Sequence, residues 1–278
     1  MNEMTPEEIA VEVEILHSST VRERIAEAAC RIAGNGAGGA LGLLAAQLRT
    51  RDFLARLDAI DDPREAVNNI RRVFEALERN PSDFTAKLGV ILANDPEFSM
   101  LPVRLNYLLP ALAAVRPMGE AAAAVFRRTN GEGYYSLNAP LLARNGSAVA
   151  LGVFEEMILG GTIADDDKVY LLHHSVVPAR TDLALLEMCA RLVNGQLPGV
   201  VAEAVVESVF DYRERPWYGN ALRPPRPPSW ESASSESLRF AGRWANELLE
   251  RGGLPAALLE AVRGSEALIA GILAGRPG

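Results

Sequence analysis

The chain has 278 residues, of which 28 are Lys or Arg and 36 are Asp or Glu, for a formal net charge of −8. That acidic balance, with a pI near 5.1, argues against nucleic acid as a partner, because phosphate binding needs clustered cations that displace counterions. The length suffices for one repeat array or two compact domains, either burying roughly 70 to 75% of the unfolded surface. Hydrophobic residues make up 49% of the chain and aromatics only 6%. That apolar fraction is largely Ala and Leu, which suits helices better than sheets and predicts an all-α protein.

The N-terminal stretch Met1 to Glu8 has neither the basic n-region nor the apolar run of a signal peptide. The most apolar later stretches, Gly36 to Leu48 and Ala267 to Gly275, fall short of the roughly 18 residues a membrane span requires. Cys30 and Cys189 are far apart and form no disulfide framework, which fits a reducing cytoplasm. Lys87 and Lys168 are the only lysines. Such Arg and Ala usage reads as codon bias of a high-GC bacterial genome. The expected setting is therefore cytoplasmic and bacterial, with no membrane and no nucleic acid.

In chain order, helices are predicted near 6–17, 20–32, 38–60 with a break, 63–79, 82–94, 101–115 and 118–128. They continue near 147–159, 166–177, 181–193, 198–211, 233–251 and 254–274. Starts are marked by Pro at a first helical position, at Pro63, Pro81 and Pro198, where its missing N–H costs nothing. Thr5, Ser19-Thr20 and Thr181-Asp182 supply N-caps, and early carboxylates match the helix dipole. Gly34 to Gly39, Asn130 to Gly133, Asn145-Gly146, Gly160-Gly161 and Asn194-Gly195 are breaks. Between Asp211 and Glu231 the helical pattern gives way to Tyr, Trp, Arg and Pro. Its Pro224-Pro225-Arg226-Pro227-Pro228 run favours polyproline II over helix. Trp217, Tyr218 and Trp230 are expected to dock this segment onto the helices, a better reading than a free PxxP ligand.

One internal echo organises the chain. Val153-Phe154-Glu155-Glu156-Met157-Ile158 recurs one hairpin later as Ala184-Leu185-Leu186-Glu187-Met188-Cys189, and each stretch is followed by a break and a second apolar-periodic stretch. A weaker copy starts at Val73-Phe74-Glu75-Ala76-Leu77. The two hairpins from Ser147 to Val177 and Ala179 to Asp211 resemble a HEAT-like α-solenoid. That resemblance implies an array over 1–211, a linker over 212–232 and C-terminal helices over 233–278 packed on the array. It also implies a scaffold or adaptor gripping another protein through consecutive second helices. The competing expectation is an all-α enzyme or small-ligand binder with a pocket between helices.

No motif supplies a catalytic signature. Gly34 to Gly39 satisfies G-x-G-x-x-G but follows a predicted helix rather than a strand, so it reads as an interhelical turn. Asp165-Asp166-Asp167 lacks the spacing of aspartate-rich metal motifs and reads as an N-terminal charge cluster. His173 and His174 point about 100° apart on a helix, and Glu14 with His17 is a single E-x-x-H without its second copy. No G-x-S-x-G or thiol-enzyme signature surrounds a serine or cysteine, and Cys189 reads as a small core residue. The expectation is therefore no metal, no cofactor and no catalytic residue.

Aligning the second helices of the two hairpins by their apolar residues pairs Leu172 with Val205 and Val176 with Val209. Tyr170 then matches Glu203, and His174 matches Glu207. Residues four apart share a helical face, so Tyr170, His174, Glu203 and Glu207 are the partner-binding candidates. Met157 and Met188 are expected at equivalent buried positions.

Overall fold

The structure, a computed structural model, describes residues 4–36, 38–57, 68–80, 95, 108–110, 112–129, 135–195, 197–211 and 227–276. These residues are helical with no strand among them. They form two compact units, Met1–Leu141 and Leu142–Gly278.

In the first unit, α1 (Pro6–Ser18) begins with a complete capping box: the Glu8 amide donates to the Thr5 hydroxyl, and the Glu8 carboxylate accepts from the Thr5 amide at 2.8 Å. α2 (Arg22–Asn35) is the hub, packing against α1, α3 (Gly38–Leu48), α4 (Arg51–Leu57) and α5 (Asn68–Glu78). Its buried positions, Ile25, Ala26, Ala28, Ala29, Ile32 and Ala33, are mostly alanine, which lets several neighbours approach one axis. The predicted helix over 38–60 breaks at Arg49-Thr50, where the Thr50 hydroxyl accepts from the Phe53 amide and starts α4.

The glycine-rich stretch lies between two helices and supplies no strand-to-helix phosphate turn. A Cβ on Gly36 would sit 2.4 Å from the Ile32 carbonyl oxygen, so the turn itself demands glycine. Asn80 then donates to the Ala33 and Gly36 carbonyls, closing the end of α2.

A 3₁₀ turn, Arg116–Met118, leads into α6 (Gly119–Thr129). α7 (Tyr135–Asn145), within which the division between units falls, was not foreseen from the sequence. Pro140 sits inside it, and an internal proline reads as a breaker although tertiary packing can override that preference. The predicted helix 82–94 and residues 101–107 of the predicted helix 101–115 fall outside the described residues.

The second unit contains the two echoed hairpins. α8 (Ala148–Leu159) and α9 (Asp165–Val176) form the first, α10 (Leu183–Asn194) and α11 (Gly199–Phe210) the second. α12 (Ser235–Arg251) and α13 (Ala256–Gly275) follow. Packing runs in two layers: α8 lies against α10 and α10 against α12, while α9 lies against α11 and α11 against α13. Ser147, Asp182 and Ser234 cap α8, α10 and α12, each accepting an amide hydrogen bond from three residues on. Met157 and Met188 are both buried, as the echo predicts.

The linker's described end also packs down. Trp230 is buried, stacks on Phe210 with ring centroids 6.3 Å apart, and lies under the Arg180 guanidinium at 5.3 Å. Arg180 donates to the Pro228 and Val209 carbonyls, and Arg276 donates to the Glu231 and Ala233 carbonyls. Gly252, with φ +65°, ends α12 in a conformation that favours glycine. Trp217 and Tyr218 lie outside the described residues. None of the described helices is long and apolar enough to cross a membrane.

Candidate protein-interaction face

α9 and α11 are the second helices of consecutive hairpins and lie side by side. Their shared interior is apolar: Leu171, Leu172, Val176, Val205, Val206 and Val209 are all fully buried. The predicted pairing of Leu172 with Val205 and Val176 with Val209 thus falls on buried positions in both helices.

One polar cluster enters this interior. His173 is buried, its Nδ1 3.3 Å from the Ser208 hydroxyl and its Nε2 3.7 Å from the Glu207 carboxylate. Serine, imidazole and carboxylate are the parts of a nucleophilic triad, but the proton count is wrong for one. The Ser208 hydroxyl donates its single proton to the Ala204 carbonyl at 2.6 Å, so His173 Nδ1 must carry the hydrogen of the shared bond and donate it. An imidazole donating to the hydroxyl cannot be its general base. Ser208 is also wholly buried, with no route for an acyl group. The cluster links α9 to α11 through the hydrogen bond between His173 and Ser208. Sequence reasoning singled out His173 but missed Ser208. The available signal was Ser208 lying next to Val209 on a helix otherwise apolar but for Glu203 and Glu207.

The candidate residues flank these buried rows. On α9, Asp166 and Asp167 are exposed and Tyr170 and His174 are half-buried. On α11, Val200 is exposed and Glu203 and Glu207 are half-buried. The spacing places these on one face of each helix. Tyr170 and His174, one turn apart, touch with ring centroids 4.2 Å apart and planes tilted by 42°. Burial holds the His174 pKa below its ordinary 6.5. The strip is therefore only partly solvated, and Glu207 belongs both to it and to the His173 cluster.

Cations in this stretch are already engaged. Between residues 147 and 211 stand ten Asp and Glu against three Lys and Arg. Lys168 is buried with its Nζ 3.6 Å from Asp165. Arg191 binds Glu155 through two nitrogens at 3.2 and 2.8 Å, and Arg180 holds the linker as described.

The remaining sequence candidates are dispersed. Asp165 to Asp167 form the first turn of α9, where the helix dipole favours them. Glu14 and His17 are exposed on α1, with His17 Nδ1 3.2 Å from the Gln47 amide nitrogen. Cys189 is wholly buried and Cys30 half-buried, and burial pushes both thiols upward, away from reactive thiolate. Among the described residues no three His, Cys, Asp or Glu side chains gather as a metal site.

No protein-family model, no curated protein and no solved structure matches this chain.

Proposed function

We propose that this protein is a non-catalytic interaction scaffold or adaptor, a helical-hairpin array of solenoid type that binds another protein through the outward faces of α9 and α11. The observation that carries the reading is the two-layer packing of consecutive hairpins. It sets the second helices α9 and α11 side by side, and in this reading Tyr170, His174, Glu203 and Glu207 form the outer strip that a partner grips. Stacked helices about 8 to 10 Å apart bring the two faces within reach of a single bound segment. The Ser208, His173 and Glu207 cluster, the nearest approach to enzyme chemistry, has its hydroxyl proton committed to a backbone carbonyl. That favours recognition over catalysis.

Joint replacement of Tyr170, His174, Glu203 and Glu207 by Ala tests the proposal. Partner binding is expected to be lost while far-UV circular dichroism keeps its helical shape. Because these side chains are half-buried, the replacement is expected to cost about 1 to 3 kcal/mol of stability, so binding must be compared well below the melting transition.

A further inference from the structure

α12 and α13 end the two layers, and they end them differently. α12 turns charge outward, with Arg239, Arg243, Glu247 and Glu250 exposed, as the last element of a stack ordinarily does. α13 does not. From Ala267 to Gly275 it has no polar side chain, yet of those residues Ile269 alone is buried, and Leu268 is 52% exposed. A helix apolar all round is suited to burial on more than one side. The buried positions of α13, Leu258, Val262 and Ile269, share a single face, and its packing partners are α12, α11 and the turn Trp230–Ser232.

The glycines of this helix pair sharpen the mismatch. Gly242 of α12 serves close packing, since a Cβ there would lie 3.5 Å from the Ile269 side chain of α13. Gly264 and Gly271 lie inside α13, where glycine weakens a helix relative to alanine. A Cβ at either would meet nothing within 4 Å, so no neighbour among the described residues requires them. They flank Leu268 by one turn on each side, four residues before it and three after. The face therefore presents one projecting side chain between two hollows.

We propose that this face is a homodimer interface, in which α13 packs antiparallel on α13 of a second copy. Ala257, Ala261, Gly264, Leu268, Gly271 and Gly275 follow one another by alternating steps of four and three residues and so form one seam. All are exposed except Ala261, which is half-buried. A two-fold axis midway between Gly264 and Leu268 maps the seam onto itself. It sets Leu268 against the partner's Gly264, Ala261 against the partner's Gly271 and Ala257 against the partner's Gly275. That self-complementarity selects a second copy over an unrelated helix. Charge permits it, because Glu260 and Arg263, exposed beside the seam, are opposite in sign and two such faces do not repel. The seam is about 27 Å long. One helix on one helix covers less than the roughly 800 Å² per partner of a standard interface, which places the dissociation constant in the micromolar range. The face is separate from the strip on α9 and α11, so the dimer stands or falls independently of the function proposed above.

Sedimentation velocity on the full chain, from about 1 to 300 μM, spans the range expected of so small an interface. A monomer–dimer equilibrium is expected, with a midpoint of about 10 to 100 μM. Leu268→Arg buries a charge in the seam and is expected to weaken association at least tenfold. Leu159→Arg, at a comparably exposed leucine of α8, is expected to change it less than threefold. Gly264→Leu sets leucine against leucine and is expected to weaken association about tenfold. The swap Gly264→Leu/Leu268→Gly again faces each projection with a hollow and is expected to recover association to within about threefold of the wild type. Both positions are exposed, so every variant is expected to keep the wild-type circular dichroism spectrum.

A wild type that stays monomeric across that range overturns the proposal. So does a dimer that survives Leu268→Arg, one lost equally in Leu159→Arg, or a folded swap variant that fails to recover association.

Discussion

Truncating Met188 and Met157 to Ala in separate variants probes the two-layer packing. The residues stand at matching places in the Val153–Ile158 and Ala184–Cys189 echo, but their surroundings differ. Met188 is fully buried in α10, which is flanked by α8, α11 and α12, whereas Met157 is 9% exposed in α8, the first helix of its layer. Loss of about three methylene equivalents costs roughly 2 to 2.5 kcal/mol in transfer free energy. A cavity that cannot collapse raises the total toward about 4 to 5 kcal/mol. Helices on three sides hold the Met188 cavity open, so Met188→Ala is expected near the upper figure. The edge of α8 can relax, and Met157→Ala is expected near 2 to 3 kcal/mol. In urea denaturation followed by circular dichroism at 222 nm, with a slope of about 2 kcal/mol/M, the midpoint falls by about 2 M for Met188→Ala and about 1 M for Met157→Ala. An equal or reversed order, or a loss under about 1 kcal/mol for Met188, would refute the layered packing.

His174 is held below its ordinary pKa by burial, so the unfolded chain takes up a proton that the folded protein resists. Stability is therefore expected to be flat above about pH 7 and to fall as pH drops below 6.5. His174→Gln is expected to shrink that slope in urea midpoints measured between pH 7.5 and 5.5, and parallel profiles would exclude the assignment. Arg180→Ala removes two hydrogen bonds to the Pro228 and Val209 carbonyls and the contact over Trp230. It is expected to cost about 2 to 3 kcal/mol and to raise amide exchange at residues 229 to 233 while leaving α8 protected. Unchanged exchange there would show that Trp230 docks without the arginine.

Much of the second unit was legible because its signals are local. Ser147-to-Leu159 periodicity, the Asp182 cap and the apolar register of α9 with α11 require no knowledge of distant neighbours. Elsewhere the sequence misleads. Pro140 reads as a stop but sits inside α7. Ser19 was expected to cap α2, yet the cap position is Val21 and Ser19 accepts its amide instead. The strip of Tyr170, His174, Glu203 and Glu207 was visible as a pattern, but its partial burial was not. Burial of Glu207 depends on His173 lying 34 residues away in sequence. Ser208 looked unremarkable because its role depends on the same histidine.

The most direct test of the central claim compares the Tyr170, His174, Glu203 and Glu207 to Ala variant with the Glu247, Glu250 and Glu260 to Gln control. Partners retained from the native host are identified and then remeasured as purified proteins by calorimetry. The account predicts a purified partner that binds the wild type and the control alike and the strip variant at least tenfold more weakly. A partner that binds all three equally, with each variant folded, would contradict it.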